Sequence, residues 1–368
     1  MKIMYCITSA SWGGAQLHVL ELCQHQIDLG NEVVFVVGND GLLLDKVKKI
    51  GKVKIISLPT LHRELSLVND CKVIFDLRKI IKKEEPDILH LHSSKAGTVG
   101  RLASIGLSVK TIFTVHGWAF TNGISSNIKK KIYQLIEKIV SPLTDYFICV
   151  SKYDYDIGEQ HGILKITKHN YAVVHNGVPE PTEKNITHNL ENEAIKIVMI
   201  ARFSAQKDQT TLIKAISQIS NRNFLVTFVG DGSTLEENQK LVKDMKLDKR
   251  VKFVGFKQNV IPYLINNDLY ILSTHYEGLP ISLIEAMSYG LPLIASDVGG
   301  NSELVSEGVN GFLVKPEDEQ QLAERITCLL NDSSLLDKFG VNSFNKYKKE
   351  FEISRMLSKI DQIYCNLK

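Results

Sequence analysis

Strand-like and helix-like patterns alternate along this chain in two successive series, and that alternation restricts the fold to parallel α/β sheets. The first series opens with a strand over 2–8, a glycine-containing loop and a helix over 15–29. Strands follow over 31–37, 53–58, 88–91, 110–115, 146–150 and 171–174, with a helix over 70–83. Between Pro179 and Ala194 the composition turns polar and charged, as an interdomain linker would. The second series places strands over 195–200, 224–229, 251–254, 269–272, 292–296 and 311–314. A last helix, over 351–366, has enough apolar positions to pack back on the N-terminal domain. The expected domains are 1–178 and 194–348, with 349–368 as the closing helical segment. Two doubly wound, Rossmann-like domains of this kind are expected to face a central cleft, and ligands of such folds bind at the carboxyl ends of the strands.

Composition fits a globular enzyme: 44% of residues are apolar and 23% charged. No apolar run is long enough for a membrane span, and the first residues read as a buried strand rather than a signal peptide. Six scattered cysteines without a CxxC pair read as reduced and mostly buried thiols in a cytoplasmic protein. In that setting the N-x-S/T matches at Asn185 and Asn331 are chance. Residues 1–175 carry 22 Lys+Arg against 16 Asp+Glu. This modest excess suits an anionic partner such as a lipid diphosphate or a membrane surface. Nucleic acid is not expected, because there is no zinc-ligand spacing, RNA-recognition signature or strongly basic stripe.

The polar residues that core packing does not require fall just after strands. Glu277 and Glu285 flank a helix expected over 280–289, where Pro280 suits the first turn and Gly290 with Pro292 ends it. Two carboxylates at a loop-to-helix junction can accept hydrogen bonds from a ribose and a sugar. Arg202 and Lys207, five apart across a strand-to-helix turn, can converge on one diphosphate. Gly230 permits close approach by a nucleotide, and Phe256 with Lys257 could meet its base. Gly299, Gly300 and Asn301 open another helix, where free N–H groups attract phosphate or sugar oxygens.

In the first half, Gly13 and Gly14 join the first strand to the first helix. This is not GxGxxG, and Asp40, beyond Gly38, is a poor ribose acid, so a dehydrogenase is disfavoured. His116 stands at a strand end facing the expected cleft, as a catalytic histidine would, and is followed by Gly117 and by Trp118, which is expected at the acceptor. His90 and His92 alternate on a strand without an apparent third ligand, so no metal site is expected. Ser93, Ser94 and Lys95, with Arg101 downstream, offer hydroxyls and cations to an anionic acceptor. The stretch 127–140 is an amphipathic helix that sets Lys129, Lys130, Lys131 and Lys138 against Ile132, Leu135, Ile136 and Ile139. A solvated basic face is the default reading of it, and with Trp118 and Phe120 nearby an interfacial membrane contact is the other.

Together these residues resemble the retaining glycosyltransferases of family 4, which have the two-domain GT-B fold. The likeness rests on Gly13-Gly14-Ala15, His116-Gly117, Asn176-Gly177-Val178, Arg202 with Lys207, Glu277 with Glu285, and Gly299-Gly300 before Glu303. The resemblance implies that Glu285 holds the nucleotide ribose and that Glu277 lies near the donor-sugar hydroxyls. It further implies that Arg202, Lys207 and the Gly14 amide grip the diphosphate without a metal, and that no cofactor beyond the nucleotide-sugar donor, with UDP the expected nucleotide, is needed. The segment from His92 to Gly97, with His116 to Phe120, is similar to bacterial enzymes that extend polyprenyl diphosphate-linked glycans for capsule or O-antigen. Such a protein works at the inner face of the cytoplasmic membrane. A nucleotide-sugar epimerase of the same fold and a non-catalytic nucleotide-sugar binder are the alternatives.

Overall fold

A computed structural model of the chain describes residues 1–62, 64, 66–121, 126–166, 170–181, 194–220 and 223–368. Most of the polar stretch read as a linker, 182–193 with Asn185, lies outside the described residues. The chain forms two compact units: Met1–Asn176 with Ser354–Lys368, and Gly177–Ile353.

The first unit runs β1 (Lys2–Ile7), α1 (Gly14–Asp28), β2 (Glu32–Val37), α2 (Leu42–Ile50), β3 (Val53–Ser57), α3 (Leu67–Glu84) and β4 (Ile88–His92). It continues with α4 (Ser94–Ala103), β5 (Lys110–Val115), α5 (Asn127–Val140), β6 (Tyr146–Cys149), α6 (Lys152–Gln160) and β7 (Tyr171–Val173). Its sheet has the order β3-β2-β1-β4-β5-β6-β7, and each pairing is parallel. Residues Ile3 to Cys6 are all fully buried, because helices cover both faces of a parallel sheet and leave its strands no polar side.

The second unit runs β8 (Ile195–Ile200), α7 (Gln209–Ser217), β9 (Phe224–Val229), α8 (Leu235–Asp244), β10 (Val251–Phe253), α9 (Ile261–Ile265) and β11 (Leu269–Leu272). Then come α10 (Ile281–Ser288), β12 (Leu293–Ser296), α11 (Asn301–Leu304), β13 (Gly311–Val314), α12 (Glu319–Asn331) and α13 (Ser333–Lys346). The order of this parallel sheet is β10-β9-β8-β11-β12-β13. The chain returns through α14 (Ile353–Leu367), most of which belongs to the first unit. There Tyr364 OH meets Tyr5 OH at 3.1 Å, and the Asp361 carboxylate accepts from Gln26 Nε2 at 2.7 Å.

In each sheet the strand order reverses once, between β1 and β4 and between β8 and β11. At such a switch point the two flanking loops leave in opposite directions and open a crevice at the strands' carboxyl ends. The chemistry-bearing residues of each unit lie around its switch point.

Three expectations need correction. Pro280 is the extended residue before α10, with ψ 118°, and its carbonyl accepts the first helical bond from Leu283 N. Three of the six cysteines, Cys71, Cys328 and Cys365, are exposed rather than buried. Finally, α5 turns its apolar stripe outward as well as its lysines. It buries Glu137 and Val140 and leaves Ile128, Ile132, Leu135 and Ile139 exposed. The cause is Glu137, whose carboxylate reaches the fully buried Arg101 and so fixes which side of α5 faces inward.

Candidate active site

In the second unit the loop after β8 is braced from beside and beneath. Phe203 N donates to Asp231 O at 3.0 Å, and Gly230 N donates to Gly255 O at 3.0 Å. A Cβ at Gly230 would lie 1.9 Å from Ala201 O, so only glycine lets these loops run side by side. Arg202 is exposed on this shelf, and so are Phe256 and Lys257. The Phe256 ring is thus free of the core, as base stacking requires.

Across the switch point, Lys207 Nζ is ion-paired with Glu277 Oε1, and the two side chains are mostly buried. Thr274 Oγ1 donates to the same carboxylate oxygen at 2.9 Å. Gln206 steadies the loop from its other side, donating through Nε2 to Tyr276 O at 2.8 Å. The backbone beside Glu277 is closed by Gly299, which has φ 56° and packs so tightly that a Cβ would sit 2.0 Å from Glu277 O. Gly300 N then donates to Gly278 O at 2.8 Å.

The helix opened by Asn301 is only four residues long, and two of its amides are engaged internally. Asn301 N bonds Val298 O and Glu303 N bonds Gly300 O. Asn301 itself is fully buried, with Nδ2 donating to Ser296 O at 2.8 Å. Gly300 thus braces the Glu277 loop, while the fully buried Asn301 side chain ties back to the end of β12. Burial pushes the Glu285 carboxyl up to about 7, and among the described residues no ion pair compensates that burial. A half-buried carboxylate so placed can accept hydrogen bonds from hydroxyls.

In the first unit the switch point gathers histidines. His92 ends β4 and His116 follows β5, with His92 Nδ1 3.1 Å from His116 Nε2. The residues after them adopt left-handed backbone, Ser93 at φ 78° and Gly117 at φ 100°, a strain that holds the rings at the strand ends. His18 from α1 joins them, its ring centroid 5.0 Å from that of His116 and its Nδ1 3.0 Å from Asn176 Oδ1. His90, one layer deeper, is 2.6 Å from Tyr364 OH and 2.7 Å from Thr114 Oγ1. Burial first, and then the neighbouring rings, hold His90, His92 and His116 well below the usual imidazole range. Burial lowers His18 to about 4 against the opposing effect of the Asn176 bond.

The acceptor residues expected around this cluster divide. Ser93 and Ser94 are partly exposed at the start of α4, and Ser93 Oγ lies 2.6 Å from Thr8 Oγ1. Gly13 precedes α1 and Gly14 is exposed at its first turn. Lys95, however, is buried and paired with Asp70, and it donates to Glu64 O at 2.9 Å. Arg101 is corrected outright. It is fully buried, bonded to Glu137 at 2.7 Å and to Gly97 O at 2.8 Å, with its guanidinium over the Phe113 ring. Trp118 is likewise a core residue, donating to Asp154 O at 2.6 Å and stacked on buried Phe120. Neither aromatic is available to an acceptor or a membrane, because the indole N–H is already satisfied inside.

Sequence reasoning missed His18, Thr274 and Gln206. His18 could have been found from its place on the buried stripe of α1 beside Val19 and Leu22. Thr274 and Gln206 carry no pattern of their own; they act by backbone proximity that spacing does not reveal.

The two parallel, Rossmann-like domains define the GT-B class of glycosyltransferases. The Glycosyltransferase Family 4 model matches residues 12–180, and the Glycosyl transferases group 1 model matches residues 181–346. The O-antigen biosynthesis glycosyltransferase WbnH of Escherichia coli is 30% identical over 349 residues, 94% of this chain and 95% of that protein. An Escherichia coli UDP-Gal:alpha-D-GlcNAc-diphosphoundecaprenol alpha-1,3-galactosyltransferase is 29% identical over 330 residues, 86% and 84% of the two chains. The Anabaena protein Alr3699/HepE, solved with UDP, shares the fold with a TM-score of 0.82 at 21% identity over the whole of both chains. This chain belongs to glycosyltransferase family 4, and it is a glycosyltransferase.

Proposed function

We propose that this enzyme moves a hexose or N-acetylhexosamine from a UDP-sugar to a hydroxyl of a polyprenyl diphosphate-linked sugar, keeping the anomeric configuration. The observation that carries the reading is the grouping of Lys207, Glu277 and the uncompensated Glu285 around one switch point. The galactosyltransferase relative, named for a UDP-Gal donor and a diphosphoundecaprenol acceptor, supports the choice of substrates.

Glu285 takes the ribose hydroxyls and Glu277 the hydroxyls of the donor sugar. Arg202 meets the diphosphate, and Lys207, with donors to spare after Glu277, shares it. As the anomeric carbon–oxygen bond breaks, negative charge grows on the departing phosphate, where these cations are already in place. The neutralisation is thus assigned to side chains of the chain rather than to a metal. The acceptor oxygen bonds to the anomeric carbon on the face the phosphate leaves, and its proton passes to the leaving phosphate oxygen. A double displacement would need Glu277 as nucleophile. Ion pairing with Lys207 and the Thr274 bond to the same oxygen make that carboxylate a poor one. His116 orients a sugar hydroxyl, Ser93 and Ser94 serve the acceptor, and the start of α1 at Gly13 and Gly14 offers N–H groups to a phosphate.

The proposal places the enzyme in surface polysaccharide synthesis at the inner face of the cytoplasmic membrane, held there peripherally. Among the described residues no helix is long and apolar enough to cross a membrane. Instead α5 carries an exposed row of Ile128, Ile132, Leu135 and Ile139 beside exposed Lys129, Lys131 and Lys138, the composition of a helix lying in an anionic interface.

The test is product analysis of the enzyme with a panel of UDP-sugars and a polyprenyl diphosphate-linked sugar. The expected product is an acceptor heavier by one sugar, its new linkage matching the donor's anomeric configuration by NMR. Isomerised donor with an unchanged acceptor would instead mark an epimerase, and binding without turnover across the panel would mark a non-catalytic binder.

A further inference from the structure

The histidines of the first unit hold more ligating capacity than the transfer reaction uses. His18, His92 and His116 each direct one ring nitrogen to a common region, and those three nitrogens lie within 4.8 Å of one another. His18 and His92 are fully enclosed, and among the described residues the Nε2 atom of each has no hydrogen-bond partner. Two buried nitrogens without partners are costly unless a ligand satisfies them.

Their surroundings are those of a metal ligand set. Asn176 Oδ1 can only accept, so at 3.0 Å it fixes the proton of His18 on Nδ1 and leaves Nε2 a lone pair. A metal-bound histidine is oriented in the same way, by donating its second ring N–H to a carbonyl or carboxylate. His92 is steered through its Nδ1 by the contact to His116, again leaving Nε2 open. Tetrahedral ligands around a zinc-sized ion stand roughly 3.3 Å apart. The nitrogens need to close by about an ångström, within reach of small side-chain rotations.

We propose that His18, His92 and His116 form a transition-metal site of the zinc type, with three imidazole ligands and a fourth position for water. Neutral imidazole sets prefer Zn2+, Cu2+ or Ni2+ over Mg2+ or Ca2+, so the site is separate in chemistry from any ion that accompanies a sugar nucleotide. Occupying it engages a ring nitrogen of His116 and holds its ring away from other partners. Where His116 serves the sugar, metal binding therefore inhibits transfer. That consequence rests on the function proposed above; the binding itself does not.

The test is titration of the metal-free full-length protein with Co2+ and with Zn2+, read by the visible absorption of four-coordinate Co2+ and by bound metal per chain. One ion per chain with a tetrahedral Co2+ spectrum is expected. His18→Gln should weaken binding at least about 100-fold, and Asn176→Ala, which removes the orienting carbonyl, about 10- to 100-fold. Circular dichroism of both variants guards against misfolding. An octahedral spectrum, or affinity unchanged in folded His18→Gln, overturns the site. Saturating Zn2+ should also slow sugar transfer. Intact Co2+ binding without such inhibition would sustain the metal site and contradict the role given to His116 in transfer.

Discussion

Lys207 and Glu277, 70 positions apart in sequence, form an ion pair that ties the loop after β8 to the loop before α10. The pair bridges the switch point of the second unit, so one contact fixes the spacing of the two loops. Breaking a mostly buried pair from one side leaves an uncompensated charge, which costs about 3 kcal/mol. Lys207→Ala should lower both melting temperature and turnover. The double variant Lys207→Ala with Glu277→Gln should regain stability, by thermal unfolding, without regaining activity.

Glu285 gives the second unit a pH dependence. Burial raises its folded carboxyl to about 7, above the value it has in an unfolded chain. The folded state therefore holds the proton more tightly, and the stability linked to Glu285 is full below about pH 4 and lost as pH rises through 7. Glu285→Gln should consequently be more stable than the parent at pH 8, by up to about 3 kcal/mol, with the gap closing towards pH 5. Denaturant unfolding at both pH values checks this.

Nucleotide binding should show the opposite slope at the same residue. Ribose hydroxyls donate to the ionised carboxylate, so UDP binding expels the proton from Glu285. UDP affinity, measured by calorimetry, should rise from pH 6 to pH 8 in the parent and stay flat in Glu285→Gln.

Arg101 is expected to govern stability and not acceptor use. Its pairing with Glu137 is fully buried, so Arg101→Ala should cost about 3–5 kcal/mol while leaving the acceptor KM unchanged at a temperature where the variant is folded. A large rise in acceptor KM would return Arg101 to the binding surface.

On the outer side of α5, Ile132→Asn with Leu135→Asn should change stability by no more than about 0.5 kcal/mol, because both positions are exposed. Co-sedimentation with anionic vesicles should fall sharply. Binding of the parent should weaken with salt, because the lysines contribute through screened charge.

The alternation of apolar runs with helical periods made both sheets readable from sequence, since parallel strands covered on two faces are nearly uniform in hydrophobicity. The carboxyl-end loops carrying Arg202, Glu277 and His116 were readable for the same reason: the fold decides where such residues fall. What could not be read was the partner of each charge. Lys207 and Lys95 look alike as basic residues near strand ends, yet one pairs with Glu277 and the other with Asp70. Arg101 has the composition of a phosphate ligand and the environment of a core residue. The orientation of α5 was equally hidden, because its stripes of Ile and Lys suit either face, and it is the distant Arg101 that selects the one carrying Glu137. His18 escaped notice because only the folded sheet brings α1 to the ends of β4 and β5.

The donor site is tested most directly by steady-state kinetics of two single variants, Glu285→Ala and Arg202→Ala, on the preferred UDP-sugar. Glu285→Ala is expected to raise the donor KM with a smaller change in kcat, having lost the ribose contact. Arg202→Ala is expected to lower kcat by about 100-fold with a smaller change in KM, having lost charge stabilisation as the bond breaks. Parental kcat and KM in both variants would contradict the assignment of the donor to these loops.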